Sequence, residues 1–369
     1  MVLLKKGFAV LWLLPLLALV IAGCASGNKG AEERPAKGGE QADNTPVNGD
    51  LPPLKKPATV VIAEDGAASG AGFYIATEKG YFKDYNIEVK YAKFSNSDDM
   101  MPALAAGKID VAGGISSASF FNSIAQGIDV KMIADKGHNI KGQSYFSFVI
   151  RKDLKDKVKS YKDFKGLKVA VSTKNAVDDY MFEQMLRHAG LKRSDVQFVL
   201  MSDFGNMIAG MKSKSIDAAL QIEPLITKGE ADGVHVRFGD ATDYAPKAQI
   251  AMVLGSPKFV DDRPDVALRF MLAYLKGVRA YNDAFVKGTG DKAEIIRIMT
   301  KYTALKDPKI WENVGITGLD PNGRMFVDDI KKQYEWYKAR GGIIGDVDLD
   351  KAIDTSLAEK AVKILGEYK

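Results

Sequence analysis

Hydrophobic positions divide the chain into three stretches of different texture. Up to Ile21 a run rich in Leu, Val and Ala follows Lys5 and Lys6. Residues 25–57 then hold Gly, Pro, Lys, Glu, Asp and Asn with almost no large apolar side chain. From Ala58 onward, short apolar runs alternate with segments of helical period. ATVVIA (58–63) is a β-branched run and predicts a strand. A loop of small residues, EDGAASGAG, leads into a helix-like FYIATEKG that stops at Gly80. Ile87, Val89 and Tyr91 alternate with Glu88 and Lys90, the period of a strand. Ser97 with Asp98 and Asp99 predicts a helix start, and Gly107 its end. Strands are expected at 110–114 and 130–134, with the serine-rich segment between them opening a helix. After residue 165 the alternation recurs: strands at LKVAVS, VQFVLM and IDAALQIE, a loop plus helix over 173–190 and a helix over 204–215. Val177, Met181 and Met185 fall on one face of the first of these helices. From Pro264 the pattern is almost all helical, with Val266, Phe270, Tyr274 and Val278 on one face. Such alternation predicts an α/β fold of parallel sheets covered by helices, in two units near 58–147 and 148–251.

The first 23 residues have the form of an export signal: a charged start, a short apolar stretch and small residues. Ile21-Ala22-Gly23-Cys24 resembles the lipobox of bacterial lipoproteins, in which the cysteine is lipidated and becomes the mature N-terminus. Cys24 is the sole cysteine, so no internal disulfide and no cysteine metal site is expected. Residues 24–57 are expected to be a lipidated flexible tether, because so polar a segment cannot bury enough surface to offset its ordering entropy. The net charge of +5, with no clustered basic face, argues against nucleic acid. No Walker loop, nucleophile elbow or kinase set is present, although Asp203-Phe204-Gly205 spells the kinase triplet. His138, His188 and His235 lie too far apart in sequence to suggest a metal site, and only His138 is placed near a strand-end cleft.

In open α/β sheets, ligands bind beyond the carboxyl ends of the strands, beside helix N-termini. Three strand-end segments qualify. Gly113-Gly114-Ile115-Ser116-Ser117 combines small residues with hydroxyls; a serine there either caps the next helix or also touches a ligand. Ser172-Thr173-Lys174-Asn175 is its counterpart in the second unit, or else a solvated loop. Glu223-Pro224 ends an apolar strand, with the acid either in solvent or aimed into the cleft.

These residues fall within a longer likeness. Ala76-x-Glu78-Lys79-Gly80-Tyr81-Phe82, Ile87-Glu88-Val89, Ala103-Leu104-x-x-Gly107-x-Ile109-Asp110, Asp163-Phe164-Lys165-Gly166-Leu167-Lys168-Val169-Ala170 and Ile216-Asp217-Ala218 occur in order. So does a late helix carrying Tyr334, Trp336 and Tyr337. Over about 60–369 the chain resembles the solute-binding lipoproteins of ABC importers for nitrate, sulfonate, taurine and thiamine-precursor pyrimidines. The resemblance implies a type II periplasmic-binding-protein fold: two α/β lobes, two crossover strands near 145–151 and 250–255, and a helical C-terminal segment over 252–369 that returns to lobe 1. It implies that Ser116, Ser117, Thr173, Lys174, Asn175, Ala176 and Glu223 face the cleft, joined by Ser69 and Phe73. It further implies a binding component, not an enzyme. That component holds a small solute without a cofactor, works with an ABC permease and its ATPase, and is lipid-anchored through Cys24 on the extracytoplasmic side as a monomer. A carboxylate at Glu223 suits a cationic or N–H-rich heterocycle better than an anion, and Phe73 with Tyr74 would stack on its ring. Lys174 and the serines would suit an anion. Alternatives are a lipid-anchored sensor, or an enzyme like the pyrimidine synthase of the same fold. That synthase carries a cysteine-rich iron site, and no cysteine follows Cys24 here.

Overall fold

The computed structural model describes residues 49–94 and 97–369. The export signal, Cys24 and the tether up to residue 48 lie outside them. Ten strands form two five-stranded sheets among the described residues. They are β1 (Ala58–Glu64), β2 (Ile87–Lys93), β3 (Val111–Ile115), β4 (Lys131–Asn139), β5 (Phe146–Arg151), β6 (Lys168–Val171), β7 (Gln197–Leu200), β8 (Ala218–Ile222), β9 (His235–Asp240) and β10 (Ala248–Gly255). The first sheet runs β2-β1-β3-β10-β4 and the second β7-β6-β8-β5-β9. Each has a parallel triple on one side and one reversed strand fourth in order: β10 lies antiparallel to β3 and β4, and β5 to β8 and β9. The lobes therefore repeat one topology, as the alternation of the sequence predicts.

The lobe boundaries differ from the sequence expectation. β5 lies wholly in the second sheet and β10 wholly in the first. The chain thus crosses between lobes in the short segments 140–145 and 241–247, not within strands. β10 is buried throughout and β5 up to Arg151, so an apolar run alone cannot say which sheet it joins. Asn139 fixes the first crossing by accepting hydrogen bonds from the backbone N–H of Tyr145 (2.7 Å) and Phe146 (3.3 Å). Ser144 Oγ ties that crossing to the second strand run by donating to Asp240 (2.9 Å).

Helix Pro264–Asn282 packs across lobe 1 against helix Ala71–Glu78. Phe270, Tyr274 and Val278 are buried there, and each large side chain taken from water contributes roughly 1.5–3 kcal/mol. The two helices approach so closely that a Cβ on Gly277 would strike the carbonyl of Gly72. In lobe 2, Val177, Met181 and Met185 of helix Val177–His188 are buried beside Phe148, Phe164 and Phe182. Glycines also make space within the first sheet. A Cβ on Gly113 would collide with Glu64 and Lys136, and one on Gly114 with Leu254.

Residues 49–57, expected to belong to the flexible tether, instead lie as a strap on lobe 1. Gly49 N donates to Ile364 O (3.1 Å), Leu54 N to Tyr85 O (3.2 Å) and Arg269 Nε to Pro52 O (2.9 Å). Asp50 pairs with Lys276 (2.5 Å), and Leu51 and Leu54 pack on the core. Two leucines and one aspartate, set among prolines and lysines, are too sparse a signal to show as a periodic pattern.

Candidate functional site

The lobes meet through the loops at the carboxyl ends of their strands. At the end of β3, the Ser117 side chain caps helix Ala118–Ala125 by accepting from Phe120 N (3.3 Å) and also donates to Asp98 (3.3 Å). Ser116 Oγ lies 3.2 Å from the Tyr337 hydroxyl. Across the gap, Ser116 O accepts from Val177 N (2.9 Å) and Ala118 N donates to Asn175 O (2.8 Å). Ser117 and Ala176 form a two-residue antiparallel bridge. The two loops that the sequence singles out are thus brought against each other. Their hydroxyls are engaged by protein: one caps a helix, the other meets a tyrosine.

In the second loop Thr173 is buried and Lys174 is exposed. Asn175 takes a left-handed conformation (φ 56°), which asparagine tolerates better than most residues. Its N–H donates to Asp179 (3.1 Å). Lys174 and Asn175 line a cleft of about 780 Å³ with Asp98, Ser119 and Asn122. Asp178, fully buried behind this loop, accepts from Ser172 N, and the Ser172 side chain also holds it. Burial pushes the Asp178 carboxyl up to about 6, against the pull of the Ser172 N–H.

Glu223 is buried at the lobe interface, and its acceptors are occupied. Oε1 accepts from the Arg237 guanidinium, from Thr227 Oγ1 (3.1 Å) and from Gly315 N (2.9 Å), and Oε2 from Thr227 N (3.1 Å). Its backbone carbonyl takes the N–H of Ala68 (2.9 Å), joining lobe 2 to the loop after β1. The expectation of a free carboxylate awaiting a cation is therefore corrected: Arg237 already neutralises it. Phe73 is corrected too. It is fully buried, 4.8 Å from Tyr274 and 6.1 Å from Phe270 between ring centroids, with no face toward a ligand. Tyr74 stacks on Tyr302 at 4.6 Å.

Ser69 leads to residues that the sequence reading missed. Its hydroxyl accepts from Lys136 Nζ (3.1 Å) and lies 3.5 Å from the Tyr145 hydroxyl. Lys136 Nζ is also 3.0 Å from Glu64 Oε1, and the Tyr74 hydroxyl donates to Glu64 Oε2 (3.0 Å). The Lys136 and Glu64 side chains are only 1% and 4% exposed. Burial pushes the Glu64 carboxyl up to about 7 even though Lys136 draws it down, and Glu64 in turn holds Lys136 protonated. Glu64 closes an apolar strand just as Glu223 does, so the same pattern in the sequence could have found it. Lys136 sits in ADKGHN, which reads as a loop; β4 in fact continues to Asn139. His138, on that same extension, pairs with Asp135 at 3.2 Å. Directly after Glu64, Asp65, Gly66 and Ala67 line an interlobe cavity of about 240 Å³, faced by Asp203, Phe204 and Pro224 of lobe 2.

Residues 68–283 match the family model described as NMT1/THI5 like. Binding proteins of Brucella abortus and Brucella suis, each named "Putative binding protein", are 27% identical over 224 residues. That match takes in 57% of this chain and 62% of theirs, so the chain spans under two thirds of these relatives' length. The structure is similar to the nitrate-binding protein NrtA of Synechocystis PCC 6803 (TM-score 0.68, 16% identity, 83% of this chain and 89% of that one). It is also similar to the aliphatic sulphonate-binding protein SsuA of Escherichia coli (TM-score 0.64, 18% identity, 81% and 92%). A ligand-binding component of an ABC-type import system from Staphylococcus aureus is similar as well (TM-score 0.68, 17% identity, 83% and 99%). These likenesses establish the two-lobed periplasmic-binding-protein fold, and the matched family model covers more than half of the sequence: the chain belongs to the NMT1/THI5-like family.

Proposed function

We propose that the protein is the extracytoplasmic solute-binding component of an ABC importer. It captures a small solute between its lobes and delivers it to a membrane permease and its ATPase, held at the membrane by a lipid on Cys24. One observation carries the reading: two lobes of the same topology face each other with their strand-end loops, and buried charged side chains gather where those loops meet. Closure of the lobes by bending at the two crossing segments follows from that arrangement. Among the described residues no helix is long and apolar enough to cross a membrane.

The solute class changes with the corrected residues. Glu223 is neutralised by Arg237, so the preference for an aromatic heterocycle no longer rests on it. Glu64, Lys136 and Ser69 take its place. The test is a thermal-shift panel on the mature chain with pyrimidines, thiamine, taurine, alkanesulfonates, nitrate and amino acids. A solute at a hundred times its Kd adds about 2.7 kcal/mol of stability. The expected result is a clear shift with one solute class, loss of uptake of that solute when the protein is removed, and release of the protein from the membrane by Cys24→Ala. Binding without any uptake defect would favour the sensor reading. No shift with any solute would overturn solute capture.

A further inference from the structure

We infer that Glu64 and Lys136 are the elements that read the solute, and that they select one presenting a hydrogen-bond donor and an acceptor side by side, such as a zwitterion or an amino-carbonyl heterocycle, over a bare anion. This deepens the proposed solute capture and rests on it.

Other buried carboxylates in the molecule hold backbone in place. Glu223 accepts from the N–H groups of Thr227 and Gly315, Asp135 from those of Gly137 and Asp320, Asp178 from Ser172, and Asp179 from Asn175. Each thereby closes a loop or a strand end. Glu64 does none of this. Its side-chain partners are Lys136 and Tyr74, and the partners of Lys136 are Glu64 and Ser69. The cluster is made of side chains that hold one another. A buried ion pair loses much of its attraction to desolvation, and an apolar pair of similar volume often serves a fold as well or better. A pair kept at this position without supporting any backbone is therefore poorly explained by stability.

Its location supplies the explanation. Glu64 is the last residue of β1, and the next three residues line the interlobe cavity. Ala67 packs in the same apolar cluster as Phe146 and Ile222 of lobe 2, so lobe 2 covers this loop in the closed arrangement. Lys136 reaches the same point from β4. Both side chains use space that Gly113 leaves open, since any Cβ there would strike them. Opening the lobes would break the Ala68–Glu223 backbone bond and uncover the loop that carries Ser69.

The geometry also sets the chemistry. Glu64 Oε1 has its close ion contact with Lys136 but no well-aligned hydrogen bond. An ammonium has three protons to give, and Lys136 gives one to Ser69 in good geometry. A second proton faces Glu64 Oε1 across the 3.0 Å ion contact, so the third proton and the remaining lone pair of that oxygen are what the pair has left to offer a solute. A lone anion drawn to Lys136 would meet the Glu64 carboxylate, and a lone cation drawn to Glu64 would meet the ammonium. A solute edge carrying both functions satisfies both groups at once.

The test is isothermal titration of the mature chain with taurine and cytosine, which carry both functions, and with ethanesulfonate and nitrate, which are anions only. At least one two-function probe is expected to bind tenfold or more tightly than either anion. Glu64→Gln should cut that preference at least tenfold. The double variant Glu64→Gln with Lys136→Met removes both charges together; a native circular dichroism spectrum and cooperative melt would show that it folds, and it should lose binding. Anions binding as tightly as the two-function probes would overturn the inference. So would an unchanged affinity in Glu64→Gln, for these probes or for a solute found by the thermal-shift panel, while solute capture itself would stand. Absence of binding by every probe and panel solute would overturn solute capture, and the inference with it.

Discussion

Replacing Glu223 by Gln separates a residue that holds the interface from one that touches solute. Gln keeps the shape but loses the charge and one acceptor oxygen. In the structure two backbone N–H groups, a hydroxyl and a guanidinium converge on this carboxylate. Hydrogen bonds to a charged group contribute about 1.5–3 kcal/mol each, and a buried donor left unpaired costs a similar amount. The Arg237 side chain is 35% exposed, so its share is discounted for solvent screening. One backbone bond can survive on the amide oxygen. The expected loss is therefore about 2–4 kcal/mol of stability, or on the order of 4–8 °C in Tm at about 2 °C per kcal/mol. The assay is thermal or urea unfolding of the mature chain, with and without saturating solute. If Glu223 holds the interface, both melts fall together and the gain from solute stays within about 0.5 kcal/mol of wild type. An unchanged melt, combined with a solute gain reduced by more than about 1.4 kcal/mol, a tenfold loss of affinity, would refute the reasoning and return Glu223 to direct contact with solute.

Three further substitutions test the buried groups around the site. Burial holds Asp178 near 6 against an ordinary 3.8. Its contribution to stability is therefore full below the unfolded value and is lost as pH rises through about 6. Between about pH 4 and pH 7 wild type should lose roughly 2.4 kcal/mol relative to Asp178→Asn, measured by urea unfolding across that range. Parallel pH profiles for the two proteins would contradict the burial argument. Gly113→Ala should cost about 1–3 kcal/mol by crowding Glu64 and Lys136, and should weaken solute binding. Gly114→Ala, which crowds Leu254 instead, should destabilise while leaving affinity intact. Equal effects of the two on affinity would count against a role for the pair in binding.

The lobes were legible because strand and helix periods differ and because their alternation repeats. Val177, Met181 and Met185, and likewise Phe270, Tyr274 and Val278, face the core as their spacing predicts. The strand His235–Asp240 escaped notice because Arg237, Gly239 and Asp240 interrupt any apolar alternation. The site was harder to read. Ser116, Ser117 and the loop around Asn175 do come together, since strand-end loops of facing sheets must. The partner of Glu223 lies fourteen residues away, beyond the helix Leu225–Ala231, and sequence does not disclose which charges a fold pairs. Lys136 and Glu64 are separated by strands β2 and β3 and the helices between them, and meet only because β1 and β4 belong to one sheet. Phe73 looked available for stacking because the helix Pro264–Asn282, which covers it, is remote in the chain.

The strap at residues 49–57 gives the molecule a mechanical ground. Its backbone is bonded to Tyr85 and Ile364, both in lobe 1. At the other end of the chain Lys369 O accepts from Lys287, and Tyr368 donates its N–H to Asn322 and its hydroxyl to Asp283, again on lobe 1. Any load arriving through the residues before Gly49 therefore enters the half of the protein that already carries the C-terminus. Lobe 2 is an insertion between two short crossings and bears neither end. It is the lever, and lobe 1 the mount. A rotation of lobe 2 drags no attached chain through solvent and works against no tension from the N-terminal side.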